Sequence, residues 1–219
     1  MAKYVMSDIH GMYDKYIEML KKIGFSSDDT LYILGDIIDR GADSMEIYKH
    51  IISNDNITLL KGNHEWLFED FCNDSVDFAY SNWRFNGGSA TKKSMYKNKV
   101  MYKEFLQFVK KLPTIMVVDG FILAHASIYT NPPYTDHMDL DMLLEIQNEE
   151  QLLWDRNDIG EAEYKDYQFI FGHTPTETIE KDRNTILHIN NSYYIDCGAC
   201  FQGGQLACLR LDDLKEFYV

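Results

Sequence analysis

Three short apolar runs, each ending in a knot of carboxylates, histidines and amides, constrain this chain more than any other feature. Tyr4-Val5-Met6-Ser7 leads into Asp8-Ile9-His10, Leu31-Tyr32-Ile33-Leu34 into Gly35-Asp36-Ile37-Ile38-Asp39-Arg40, and Ile57-Thr58-Leu59-Leu60 into Lys61-Gly62-Asn63-His64-Glu65. Such runs read as buried strands, so the polar residues gather where the strands end. Between them, Tyr16, Ile17, Met19, Leu20 and Ile23 recur at helical spacing up to Gly24, and Met45, Ile47, Tyr48, Ile51 and Ile52 repeat the pattern. A repeated strand, polar loop and helix predicts an α/β chain with right-handed crossovers, a parallel sheet and a site at the strands' carboxyl ends.

The remainder of the 219 residues suits a single domain, 1–219, carrying a helical insertion at about 66–112. That insertion is rich in aromatics, is interrupted at Asn86-Gly87-Gly88-Ser89, and bears a basic patch of Lys92, Lys93, Lys97 and Lys99. A solvated helix face explains those lysines as well as phosphate steering does. Thr114 to Val118, Asp119-Gly120 and Phe121 to Ala124 read as a hairpin aimed at His125-Ala126-Ser127. After a turn at Asn131-Pro132-Pro133, a helix is expected from about Asp139 to Leu153, delivering Trp154-Asp155-Arg156. A strand from Gln168 to Phe171 runs into Gly172-His173-Thr174-Pro175, and β segments near Tyr193 to Asp196 and Gln205 to Leu211 enclose the loop Cys197 to Gly204.

The formal charge of −14 disfavours a nucleic-acid partner, and no apolar run reaches the length of a membrane span. A soluble, cytoplasmic protein is the expectation. Cys197-Gly198-Ala199-Cys200 has the CxxC spacing of redox and zinc motifs, but no second CxxC accompanies it, so small buried or loop thiols are expected there.

The strand-end residues Asp8, His10, Asp36, Asn63, His125 and His173 form a mixed oxygen and nitrogen set without thiolate, which suits Mn²⁺, Fe or Zn²⁺. Six donors exceed the needs of one tetrahedral ion. If a carboxylate bridges, two ions share the set, at about 3.5–4 Å from one another, and clamp the oxygens of a phosphoryl displacement. Asp36, central among the three strands, is the choice for the bridge.

With Trp83, Asn86-Gly87-Gly88, Trp154-Asp155-Arg156 and Tyr194-Ile195-Asp196-Cys197-Gly198-Ala199, these ordered motifs resemble the calcineurin-like metallophosphoesterases, closest to the serine/threonine protein phosphatase branch and its small bacterial and phage enzymes. The resemblance implies a four-layer αββα sandwich, two mixed β-sheets flanked by helices. It implies two divalent ions, foremost Mn²⁺, one held by Asp8, His10 and Asp36 and the other by Asp36, Asn63, His125 and His173. A metal-bridging hydroxide would attack phosphorus in line, His64 would protonate the leaving alkoxide, and Asp39 would orient His64. Arg40 and Arg156, with Asn63, would contact the substrate phosphate. Lys61 stands where many relatives have an arginine.

A phosphoprotein or phosphopeptide substrate follows, with small phosphomonoesters accepted in vitro. The alternative in the same superfamily is symmetrical hydrolysis of dinucleoside tetraphosphates. Glu65 after Asn63-His64, and Asp39 before Arg40, favour the protein phosphatase branch. A metal-bound scaffold that recognises phosphoproteins without turnover is the reading from a different class.

Overall fold

The computed structural model describes residues 1–73, 77–131 and 133–219. β1 (Lys3–Met6), β2 (Thr30–Ile33) and β3 (Ile57–Leu59) pair in parallel, with α1 (Tyr13–Ile23) and α2 (Ser44–Ile52) between them. The all-parallel expectation stops there. β9 (Ala207–Arg210) lies antiparallel on β1, and β10 (Lys215–Tyr218) returns along β9, giving the order β10-β9-β1-β2-β3. The second sheet combines β4 (Ile115–Val118), β5 (Phe121–Ala124), β6 (Gln168–Phe171), β7 (Leu187–Ile189) and β8 (Ser192–Tyr194) in the order β4-β5-β6-β8-β7. Its centre is parallel and both edges are antiparallel hairpins, so this sheet is also mixed.

The two sheets face each other through one apolar layer. Val5 and Leu209 from the first sheet meet Leu123, Ile170 and Tyr193 from the second. Their sequence neighbours point the other way, as the two-residue repeat of a strand demands. Tyr4, Met6 and Cys208 pack with Tyr16, Met19 and Ile47 of α1 and α2, while Ile122, Phe169 and Phe171 pack with Leu143 and Leu152. This is the four-layer αββα sandwich, and it explains why the central strands are apolar.

Between β3 and β4 run α3 (Asn63–Asn73), α4 (Asp77–Trp83), α5 (Ser89–Asn98) and α6 (Tyr102–Val109). The helical insertion thus begins at Asn63, inside the motif, rather than at about 66. The expected break at Asn86-Gly87-Gly88 is a widened π-type turn, Arg84–Gly88, that joins α4 to α5. The helix expected from Asp139 to Leu153 is two helices, α7 (Leu140–Glu145) and α8 (Glu149–Trp154). Asn148 separates them because its side chain accepts from the Glu150 N–H at 2.7 Å and starts a new helix. α9 (Thr176–Ile179) follows the His173 loop. The turn expected at Asn131-Pro132-Pro133 includes Pro132, which lies outside the described residues. No described helix is long and apolar enough to cross a membrane.

Candidate active site

The loops after β1, β2, β3, β5 and β6 meet at one end of the sandwich and bring all the candidate residues together. The first two are knitted by main-chain bonds, His10 N–H to the Asp36 carbonyl at 2.8 Å and Gly11 N–H to the Ile37 carbonyl at 3.0 Å. Asp8, His10, Asp36, Asp39, Arg40 and His173 all adopt positive φ, between 46° and 69°. Non-glycine residues rarely enter that region, and each such residue costs on the order of 1–2 kcal/mol. The chain bends sharply at Asp8, His10, Asp36 and His173, which turns side chains from different strand tips toward one centre. Close approach completes the arrangement. A Cβ on Gly62 would stand 2.2 Å from Asp36 Oδ1.

Asp36 divides its two oxygens. Oδ1 lies 3.6 Å from His125 Nε2, and Oδ2 lies 3.6 Å from His10 Nε2 and 3.8 Å from His64 Nε2. Asp8 Oδ1 is 3.9 Å from the same His10 nitrogen. On the other side, Asn63 Oδ1 lies 2.9 Å from both His125 Nε2 and His173 Nδ1. His10 and His125 each donate Nδ1–H to a main-chain carbonyl, of Ile38 at 2.8 Å and of Leu34 at 2.6 Å, which leaves each Nε2 an unprotonated acceptor. The lone pairs of His125 Nε2 and Asn63 Oδ1 therefore face one another, an opposition that a cation relieves. Among the described residues, His10, Asp36 and His64 form one metal-compatible trio and Asp8, Asp36 and His125 another, with Asp36 common to both. The residues fit a pair of divalent ions sharing Asp36.

His64 Nδ1 donates to Asp39 Oδ2 at 2.8 Å. The other carboxylate oxygen of Asp39 accepts from Trp83 Nε1 at 3.1 Å and from the Thr91 hydroxyl at 2.5 Å, both from the helical insertion. His64 Nε2 is left pointing into the site, where it accepts from Arg40 Nη2 at 3.0 Å, while Arg40 Nη1 donates to His10 Nε2 at 2.8 Å. Arg156 Nε donates to His173 Nε2 at 3.0 Å. Two guanidinium groups thus reach the cluster from opposite sides, and both side chains remain exposed to solvent. Burial pushes the imidazole pKa values of His10, His64, His125 and His173 down, that of His173 to about 2, with Arg40 lowering His64 further. Burial drives Asp36 well up, aided by Asp8 and Glu65, and pushes Asp39 up to about 8 against the donors from Thr91 and Trp83. A region this crowded with buried acids and bases is built to hold cations.

A family model described as calcineurin-like phosphoesterase matches residues 1–207. The chain belongs to this family. It is 29% identical over 213 residues to serine/threonine-protein phosphatase 1 of Salmonella typhimurium, covering 95% of this chain and 91% of that protein. A shorter match, 39% identical over 67 residues, relates it to the symmetrical bis(5'-nucleosyl)-tetraphosphatase of Escherichia coli, covering 30% of this chain and 24% of that enzyme. Among solved structures, a protein serine/threonine phosphatase from Saccharomyces cerevisiae superposes with a TM-score of 0.67 at 17% identity, over 100% of this chain and 78% of that one. That likeness is one of fold.

Two buried carboxylates of this calcineurin-like phosphoesterase escaped the residue-by-residue reading of its site. Glu65, read from sequence only as a branch marker, accepts from the main-chain N–H groups of Asp36 at 2.8 Å, Gly62 at 2.9 Å and Ile37 at 3.0 Å. It clamps the β2 and β3 loops together, and its position two residues after Asn63 was the available signal. Asp196 is buried with Oδ1 accepting from Gly198 N–H at 2.9 Å, and burial together with Asp8 pushes its pKa well up. Its sequence signal was its place in the Tyr194-Ile195-Asp196-Cys197-Gly198-Ala199 motif. Lys61 does not stand in for an arginine at a phosphate: its ammonium sits between Glu69 at 3.1 Å and Glu149 at 3.0 Å, tying α3 to α8. The four cysteines are free thiols. Burial pushes Cys197 up to about 12 and raises Cys200, opposite to the depressed values of redox-active thiols.

Proposed function

We propose that the whole chain acts as one catalytic unit, a metal-dependent phosphomonoesterase whose substrates are phosphorylated serine and threonine residues of proteins. The observation that carries this reading is the His64–Asp39 pair set beside two guanidiniums. Asp39 holds His64 in the tautomer with Nδ1 protonated, so Nε2 is the atom available to a leaving group. A serine-type alkoxide departs poorly unless protonated, and general-acid help is typically worth about 10²–10⁴ in rate. Burial first, and then the positive charge of Arg40, lower the pKa of this imidazole. A phosphate dianion drawing that guanidinium onto its own oxygens weakens the Arg40 contribution and raises the basicity of Nε2, so that Nε2 takes a proton from solvent water and passes it to the departing alkoxide. Arg40 and Arg156 reach from opposite sides and suit the free oxygens of a terminal phosphate.

Asp8, His10 and Asp36 would hold one ion and Asp36, Asn63, His125 and His173 the other, with Asn63 also near the phosphate. When bound, two divalent ions, Mn²⁺ first among them, supply Lewis-acid charge to the phosphoryl oxygens and acidify water into a nucleophile. The near full-length relationship to a protein phosphatase supports the reading. The shorter match to a symmetrical tetraphosphatase favours dinucleoside tetraphosphates as the second one. Metal-stripped protein reloaded with Mn²⁺, assayed side by side on phosphoserine, phosphothreonine and phosphotyrosine peptides and diadenosine tetraphosphate, with Asp36→Asn as control, separates the two. Faster peptide hydrolysis is expected. Preference for the dinucleotide withdraws the protein phosphatase reading, and phosphopeptide binding without turnover in any metal leaves only the scaffold.

A further inference from the structure

We propose that the exposed ridge of α5 extends the substrate site and takes acidic side chains flanking the phosphorylated residue, an inference that rests on the phosphoprotein reading above. Arg40 is the link. Its guanidinium touches His10 and His64, and the same residue lines a groove of about 620 Å³ together with Asp43, Ser89, Lys93 and Lys97. A second groove of about 540 Å³, lined by Tyr80, Arg84, Ser89, Lys92, Lys93 and Tyr96, adjoins the first at Ser89 and Lys93. Its lining carries three cations and no carboxylate.

Around these two grooves, cations with and without carboxylate partners lie side by side. Lys3, Lys61, Lys97, Arg183 and Arg210 each have a carboxylate partner, and Lys97 has two, Asp43 at 2.9 Å and Glu46 at 2.7 Å. Arg84, Lys92 and Lys93 have none among the described residues, and the Lys92 ammonium instead lies 5.5 Å from the Tyr80 ring centre. Three mutually repelling, unpaired cations next to a phosphate-facing arginine form a local positive field that an anionic segment relieves. The other side of the site has the opposite sign. There the groove of about 590 Å³ beside Arg156 carries Glu150 and Asp155. A peptide lying across the centre therefore meets positive charge on its Arg40 side and negative charge on its Arg156 side, which gives it a preferred direction.

Phosphopeptides identical except for acidic, neutral or basic residues on either flank test this, assayed at low and high salt with wild type and with Lys93→Ala and Lys92→Ala/Lys93→Ala. Each rate is normalised to the same variant's turnover of p-nitrophenyl phosphate, which has no flanks and reports the phosphate site itself. An acidic flank on one side only should raise kcat/KM about two- to fivefold per charge, as expected for an exposed pair. The gain should fade at high salt and shrink in both variants. Peptide turnover indifferent to flank charge, or a preference untouched by the lysine substitutions, overturns the extension and leaves the phosphatase reading standing. Turnover confined to diadenosine tetraphosphate overturns both.

Discussion

Asp39 shows how one buried charge is made useful. Both of its oxygens are occupied, one by His64 and the other by Trp83 and Thr91, so the carboxylate has little freedom to turn and the imidazole is fixed with it. His64 has two readings at this scale, because its Nε2 also stands within the His10–Asp36–His64 trio. His64→Asn separates them. Peptide turnover should fall by about 10²–10⁴, the range of general-acid help, while metal content by elemental analysis stays at the wild-type level. Loss of metal from this variant would make His64 a ligand instead. p-Nitrophenyl phosphate, whose leaving group needs no proton, should lose less. Asp36→Asn should behave differently, losing metal and turnover together, since both halves of the cluster share that carboxylate.

At the scale of elements, the helical insertion supports the chemistry from behind. Thr91 of α5 and Trp83 of α4 grip Asp39, and the π-type turn between them brings the Gly87 carbonyl to the Arg40 N–H at 3.4 Å. Gly87 has φ 105°, and a Cβ there would stand 2.7 Å from the Arg40 nitrogen. Gly87→Ala should therefore cost about 1–3 kcal/mol of stability, measured by urea unfolding, from backbone strain alone. Because the clash falls on Arg40, proposed above to contact the phosphate, KM for phosphomonoesters should rise more than kcat falls. The glycine pair was visible in the sequence as an interruption. Its use was not, since a widened turn and a chain break leave the same mark in a sequence.

For the whole molecule, the decisive quantity is charge buried at one end. In the metal-free protein, burial pushes the pKa of Asp39 from 3.8 up to about 8 and that of Glu65 from 4.5 up to about 7, so proton uptake by these carboxylates competes with the hydrogen bonds they accept. Their stability contribution is complete below the unfolded values and is lost as pH rises through the folded ones. The lowered histidines act in the opposite sense, their contribution complete above the ordinary value of 6.5 and lost as pH falls below it. Between pH 6.5 and 8 only the carboxyl contribution varies. Chelated protein should lose stability across that window, at about 1.4 kcal/mol per pH unit for each carboxyl still holding a proton. Thermal melts at several pH values check this. Saturating Mn²⁺ should flatten the trend and raise Tm, by about 2.7 kcal/mol of stability at a hundredfold excess over Kd.

The sequence by itself determined the strands and nearly every donor. Apolar runs of four with a two-residue alternation can be buried only inside a layered fold, and Asp8, His10, Asp36, Asn63, His125 and His173 each follow such a run. Tertiary structure decided what a run cannot encode. The edge strand β10 is half-exposed and partly charged and β7 is only three residues long, so neither carries a clear apolar signal and both exist through pairing with β8 and β9. Likewise, the division of Asp36 between two clusters, the Asp36 and Ile37 main-chain donors on Glu65 and the grip of Trp83 and Thr91 on Asp39 join residues 26 to 89 positions apart. Local patterning fixes which side chains leave a strand tip. Only the packing of sheets and helices against each other fixes where their lone pairs meet.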